Sequence, residues 1–208
     1  MSLKLKLLVS ALAGVALGLA IAGAHWFREG SRARQRAELP VYGALPDFEL
    51  TDRGGESVSL GSLKGKVWVA DFIFTHCAGP CPLLSSRMSS LQKVVRDLDG
   101  VRLVSLSVDP ERDTPEVLAE YAQRYQADAR RWLFLTGPKE TLYRLVSEGF
   151  RLAVDDGALR GGLITHSTRF VLVDQQGRIR GFYDGADPAT AEALLPDIRT
   201  LLAGSKAE

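Results

Sequence analysis

Two cysteines, two methionines and three histidines are all the soft metal-binding side chains in this 208-residue chain. So small a set argues against a disulfide-stapled scaffold, and it leaves too few thiolates for an iron–sulfur cluster, which needs four protein ligands. Net charge is scarce as well: the formal value is +1 at pH 7. A near-neutral chain has no broad nucleic-acid footprint. There is no internal repeat and, beyond the N-terminal leader, no low-complexity stretch. The length suits one domain plus that leader.

Long apolar runs are absent except at the start. Leu7–Ala24 is apolar apart from Ser10, and Trp26 and Phe27 extend it. As a helix it would span about 27 Å, just under a hydrocarbon core of about 30 Å. Lys4 and Lys6 precede it, and Arg28, Arg32, Arg34 and Arg36 follow. The arginines favour a cytoplasmic C-terminal side on charge alone. The basic start followed by an apolar stretch is instead the form of an export signal, and Ala22-Gly23-Ala24 has the small-x-small form of a cleavage site. The apolar core is long for a cleaved signal. We therefore expect an uncleaved single-pass anchor at 1–27 in the inner membrane and a tether at 28–45. The domain, 46–208, would be exported to the periplasm or an equivalent oxidising compartment.

Within the domain, strand and helix patterns alternate. Pro46–Leu50 and Ser57–Leu60 flank Gly54-Gly55 as a hairpin. Lys66–Thr75 (KVWVADFIFT) is a nearly continuous β-branched and aromatic run, suited to a strand buried on both faces. Pro82 marks a helix start; Leu84, Met88, Leu91, Val94, Val95 and Leu98 recur at helical spacing, and Gly100 ends the helix. Val101–Val108 reads as a second buried strand. Asp109–Asp113 forms a loop, and Thr114-Pro115-Glu116 caps a helix through about Tyr125. Trp132–Leu135 is short and strand-like, Pro138–Glu148 helical, and Asp155–Gly162 a flexible loop. Thr168–Val173 and Arg178–Tyr183 flank the turn signal Asp174–Gly177 as a late hairpin. Ala189–Leu202 is a closing amphipathic helix. The order predicts an α/β sheet with helices on its faces.

The two cysteines, Cys77 and Cys81, stand together in FTHCAGPCP at the junction of the central strand and the next helix. A disulfide there would close a loop so short that it contributes only about 2 kcal/mol, and a chain of this length buries its own core. Redox or metal chemistry is the better reading. The helix start offers unpaired N–H groups that lower a thiol pKa, and the spacing puts both sulfurs one helical turn apart on one side. His76 adjoins Cys77; it is either a partner for a thiolate or a solvated loop histidine. His166 enters the late hairpin after a loop long enough to swing it across the domain. Two thiolates plus that imidazole make a soft three-coordinate set that suits copper, with zinc the other candidate. Met88 is either a soft ligand or core packing. Asp109 and Asp113 have the look of an acidic metal loop, although capping and turn roles explain both.

The strand-FTHC-x-x-x-CP stretch, the run SVDPERDTP at 107–115 and the late His166-Ser167 before a hairpin together resemble the Sco/SenC family, over roughly residues 44–203. The resemblance implies a thioredoxin-like α/β fold with an N-terminal β-hairpin extension and a single N-terminal membrane-anchor helix. It also implies copper held by Cys77, Cys81 and His166. The copper would serve in building the binuclear copper centre of cytochrome c oxidase, whose copper-bearing subunit would be the partner, alongside other copper or thiol-redox proteins. Two departures alter nearby charge without removing a ligand: Ala78-Gly79-Pro80 stands where members often carry Pro-Asp between the cysteines, and Thr165 where they often carry Asp. A rival reading attaches to Asp71, six residues before Cys77, the offset at which thioredoxins carry a proton-moving acid. On that reading Cys77 and Cys81 are the redox pair of a membrane-anchored thiol–disulfide oxidoreductase that carries no metal. The bland role for Asp71 is an ion pair with a neighbouring Lys or Arg. A copper sensor or buffer is a third class.

Overall fold

The computed structural model describes residues 39–152 and 167–204. The expected anchor, most of the expected tether, the loop at 155–162 and His166 lie outside the described residues.

The central strand is β4, Val67–Ile73, and all seven of its residues are buried. Its β-branched and aromatic content suits a strand covered on both sides. It pairs in parallel with β5, Val101–Ser107, which pairs in parallel with β6, Trp132–Thr136. On its other side β4 meets β7, Arg169–Val173, antiparallel, and β7 turns back into β8, Arg178–Asp184. The hairpin expected near the start of the domain is β2, Glu49–Asp52, with β3, Ser57–Ser59; it docks antiparallel on β6. A two-residue strand, β1 (Gly43–Ala44), completes the opposite edge against β8. The order across the eight strands is β1-β8-β7-β4-β5-β6-β2-β3.

Alternation along β4 divides the core. Val67, Val69 and Ile73 join a cluster with α2 (Cys81–Val94), α3 (Pro115–Arg124) and α5 (Thr190–Gly204). Trp68, Ala70 and Phe72 join a second cluster with the hairpin, the short helix α1 (Leu60–Leu63) and α4 (Lys139–Arg144). Two parallel crossovers, through α2 and α3, put both helices on one face, as right-handed connections require. Met88 is fully buried there among apolar neighbours, so its role is packing.

Several boundaries differ from the sequence reading for local reasons. The first helix after the cysteines ends at Val94, not at Gly100; Gly100 has φ +81° and turns the chain into β5, its carbonyl accepting the Val67 N–H. The helix expected at Pro138–Glu148 passes after Arg144 into a π-helical turn, Leu145–Gly149, closed by the Phe150 N–H on the Leu145 carbonyl. Residues 39–45, the end of the stretch read as a tether, are bound to the sheet. Tyr42 donates to the Ile179 carbonyl and Leu45 to that of Gly177, and Arg180 reaches the carbonyls of Leu39 and Pro40. No periodicity marks a strand of two residues, so only the tertiary structure reveals it.

Candidate functional site

Parallel strands β4 and β5 end side by side, and everything of chemical interest gathers at those ends. Beyond Ile73 the chain turns tightly, with the Cys77 N–H on the Phe74 carbonyl, and enters α2 at Cys81. Only Cys81 is therefore helical. Cys77 lies in the turn before it, between the end of the strand and the first turn of the helix. Pro82 occupies the first turn, where a missing N–H costs nothing. Both cysteines are unbridged and buried, at 8 % and 3 % exposure. The Gly79 N–H donates to Cys77 Sγ at 3.3 Å.

The expectation that the helix start lowers the thiol pKa fails at Cys81. Burial pushes its pKa up to about 12, against a hydrogen bond from the Phe74 backbone, and the neighbouring Cys77 and Asp71 push the same way. Desolvation of a buried thiolate outweighs one turn of helix dipole.

Asp71 projects from β4 into the helix-covered side of the core, level with Ser105 of β5. Its carboxyl is fully buried. Ser105 Oγ donates to Oδ1 at 2.5 Å, and Trp132 Nε1 of β6 donates to Ser105 Oγ at 2.9 Å. Among the described residues Oδ2 has no hydrogen-bond partner. The ion pair with a nearby Lys or Arg is thus not what occupies Asp71. Burial raises its pKa to about 7, opposed by the Ser105 hydrogen bond. Ser105 and Trp132 were not singled out from sequence. The available signal was a hydroxyl inside a run buried on both sides, where it must find a partner.

A second buried carboxylate ties the strand ends together. Asp113 is 0 % exposed, and three donors converge on its carboxylate. Thr75 Oγ1 donates to it at 2.6 Å, Ser107 Oγ at 2.6 Å and the Thr75 N–H at 3.2 Å. Thr114 caps α3, accepting the Val117 N–H at 3.4 Å, an arrangement worth about 1 kcal/mol. Asp109 accepts the backbone N–H groups of Arg112 and Asp113 on its carbonyl, and its carboxylate pairs with Arg112 at 3.4 Å. A turn role thus accounts for Asp109, whereas Asp113 ties Thr75 to Ser107 and the helix cap is Thr114. His76 is exposed, with Nδ1 3.1 Å from Thr75 Oγ1.

Antiparallel pairing of β7 with β4 sets Val171 opposite Ala70. The chain therefore enters β7 at the end of the sheet where β4 releases the thiol turn. Ser167 and Thr168, the residues after His166, come in there. The Thr168 carbonyl accepts the Gly185 N–H at 2.7 Å. A Cβ on Gly185 would meet Leu84 of α2, Phe170 and that carbonyl, each at 2.7 Å, so only glycine allows this approach. Among the described residues no three His, Cys, Asp or Glu side chains cluster to hold a metal ion. The thiols are two of the three expected ligands, and His166 lies outside the described residues.

Comparison with known proteins places this architecture. A family model described as SCO1/SenC matches residues 39–203. Among solved structures, a SCO1/SenC family lipoprotein from Bacillus anthracis is similar at 36 % identity and TM-score 0.71, over 78 % of this chain and 96 % of that one. BsSco, described as a member of the Sco family of cytochrome c oxidase assembly proteins with a disulfide switch, is similar at 31 % identity and TM-score 0.71, over 82 % and 99 %. ScoI of Bradyrhizobium japonicum, solved with copper bound, is similar at 27 % identity and TM-score 0.62, over 76 % and 98 %. The thioredoxin-like α/β fold expected from sequence is the fold of the described domain. Among the described residues no helix is long and apolar enough to cross a membrane.

Proposed function

The chain belongs to the SCO1/SenC family, and from that premise we propose that it carries copper to the binuclear copper site of cytochrome c oxidase, or prepares the thiols of that site. Cys77, Cys81 and His166 are the ligands. The observation that carries the reading is the placement of two unbridged thiols where β4 ends, at the same end of the sheet where Ser167 and Thr168 lead into β7. Thiolates and imidazole favour a thiophilic ion such as Cu(I). The copper-bound ScoI and the oxidase-assembly description of BsSco support the cargo and the partner. Leu7–Ala24 would anchor the chain in the inner membrane, with the domain in the periplasm; the B. anthracis relative is described as a lipoprotein, which fits attachment to a membrane.

Anaerobic titration of the reduced chain with Cu(I) tests this. One copper per chain is expected, abolished by Cys77→Ala or Cys81→Ala and weakened by His166→Ala. A reduced chain that binds no copper sinks the carrier reading, and an unchanged titration for His166→Ala removes that residue from the ligand set.

Asp71 favours a second reading. Its unpartnered Oδ2 and its electrostatic effect on Cys81 suit a group that, as the carboxylate, takes the thiol proton during exchange. A Cys thiolate would attack a partner disulfide, and the second Cys would resolve the mixed disulfide. The partner gains two electrons and this chain ends oxidised. Asp71→Asn should slow that exchange markedly while leaving copper stoichiometry at one.

A further inference from the structure

Thr75 Oγ1 has one proton to give, and its place is settled. It goes to Asp113 Oδ1, 2.6 Å away. At the 3.1 Å contact with His76 Nδ1 the hydroxyl must therefore accept, and Nδ1 must carry the hydrogen. In the neutral imidazole that leaves Nε2 as a bare lone pair. The carboxylate that imposes this also accepts from Ser107 Oγ and the Thr75 N–H.

Accessibility gives the free nitrogen a use. Cys77 and Cys81 are 8 % and 3 % exposed, whereas His76, next in sequence to Cys77, is exposed. The imidazole is thus open to solvent where the two sulfurs are largely covered. We infer that Asp113 is a positioning residue for His76: through Thr75 it fixes the Nδ1–H tautomer and presents Nε2 as the ligand on which incoming copper is first held. Among the described residues His76 and the two thiols form no ready-made three-ligand cluster, so the imidazole acts before chelation and not within it. On transfer inward the copper–Nε2 bond breaks as two copper–sulfur bonds form, and the two thiol protons pass to buffer. The entry role rests on the copper-carrier reading; the hydrogen-bond relay does not.

Both parts are tested on the reduced, metal-free full chain labelled with ¹⁵N. Long-range ¹H–¹⁵N spectra of the neutral imidazoles should show His76 as the Nδ1–H tautomer. Thr75→Val should shift it toward Nε2–H, with the backbone amide spectrum otherwise preserved. Asp113→Asn should do the same, and Thr75→Val carries the test alone if that variant does not fold. A wild-type His76 found as Nε2–H, or one indifferent to Thr75→Val, overturns the relay. Stopped-flow loading with Cu(I) should slow several-fold in both His76→Ala and Thr75→Val, and unchanged loading in His76→Ala overturns the entry role. A chain that took up no copper would overturn the entry role together with the carrier reading. That failure is told apart from failure of the relay because the tautomer is read without metal.

Discussion

At Cys81 two influences that sequence suggests separately meet and oppose each other. The helix start favours a thiolate, and burial disfavours it; burial prevails, raising the pKa to about 12. Relative to an ordinary thiol near 9, thiolate is depleted roughly a thousandfold at neutral pH. Iodoacetamide at pH 7.5 should therefore alkylate Cys81 of the folded, reduced, metal-free chain far more slowly than in urea; mass spectrometry reading equal rates would contradict the burial argument. Asp71 has a pH signature of its own. Its pKa rises from 3.8 to about 7 on folding, so between those values the folded state holds a proton that the unfolded chain has released. Stability is then greatest at low pH and falls as pH rises toward 7, by roughly 4 kcal/mol at most. Asp71→Asn should flatten that part of the stability profile in urea titrations from pH 4 to 8. The thiols, Asp71 and the two loop aspartates were all legible as residues, because short spacing and residue type announce them. Asp71 stands in a run legible as buried on both faces, and its raised pKa follows from that; what spacing does not announce is the desolvation of the thiol turn, which decides the direction at Cys81.

Elements with a period long enough to read were found: β4 and β5 by their unbroken apolar runs, α3 by its Thr114 cap, and the β7–β8 hairpin by its Asp174–Gly177 turn, where Gly177 has φ +79°. Those that escaped are held by tertiary contacts. β1 is two residues long, and its place depends on Arg180, whose side chain reaches the Leu39 and Pro40 carbonyls and pairs with buried Asp174 at 2.7 Å. Arg180→Ala removes those bonds and leaves Asp174 with the Arg178 ion pair and the backbone N–H groups of Gln176 and Arg178. The strap of residues 39–45 should loosen first. Hydrogen exchange at the Tyr42 and Leu45 amides is expected to accelerate with a global loss of about 2 kcal/mol, while amides of β4 keep their rank as the slowest. Equal acceleration everywhere would show that the strap is no separate unit.

At the scale of the whole molecule, redox state and cargo are linked through the same two sulfurs. Copper that binds only the folded, reduced chain must stabilise it by mass action, about 4 kcal/mol when free copper exceeds the dissociation constant a thousandfold. For a chain of this size each kcal/mol moves the melting temperature by about 2–4 °C, so Cu(I) should raise it by roughly 8–16 °C. Oxidation of Cys77 and Cys81 to a disulfide removes two protons and two electrons and leaves no thiolate to bind, so the oxidised chain should melt at the same temperature with and without copper. His166→Ala should shrink the shift in the reduced chain without abolishing it. Calorimetry under anaerobic conditions reads all three. An equal shift in the oxidised chain would mean that copper sits elsewhere, and that the disulfide does not gate loading.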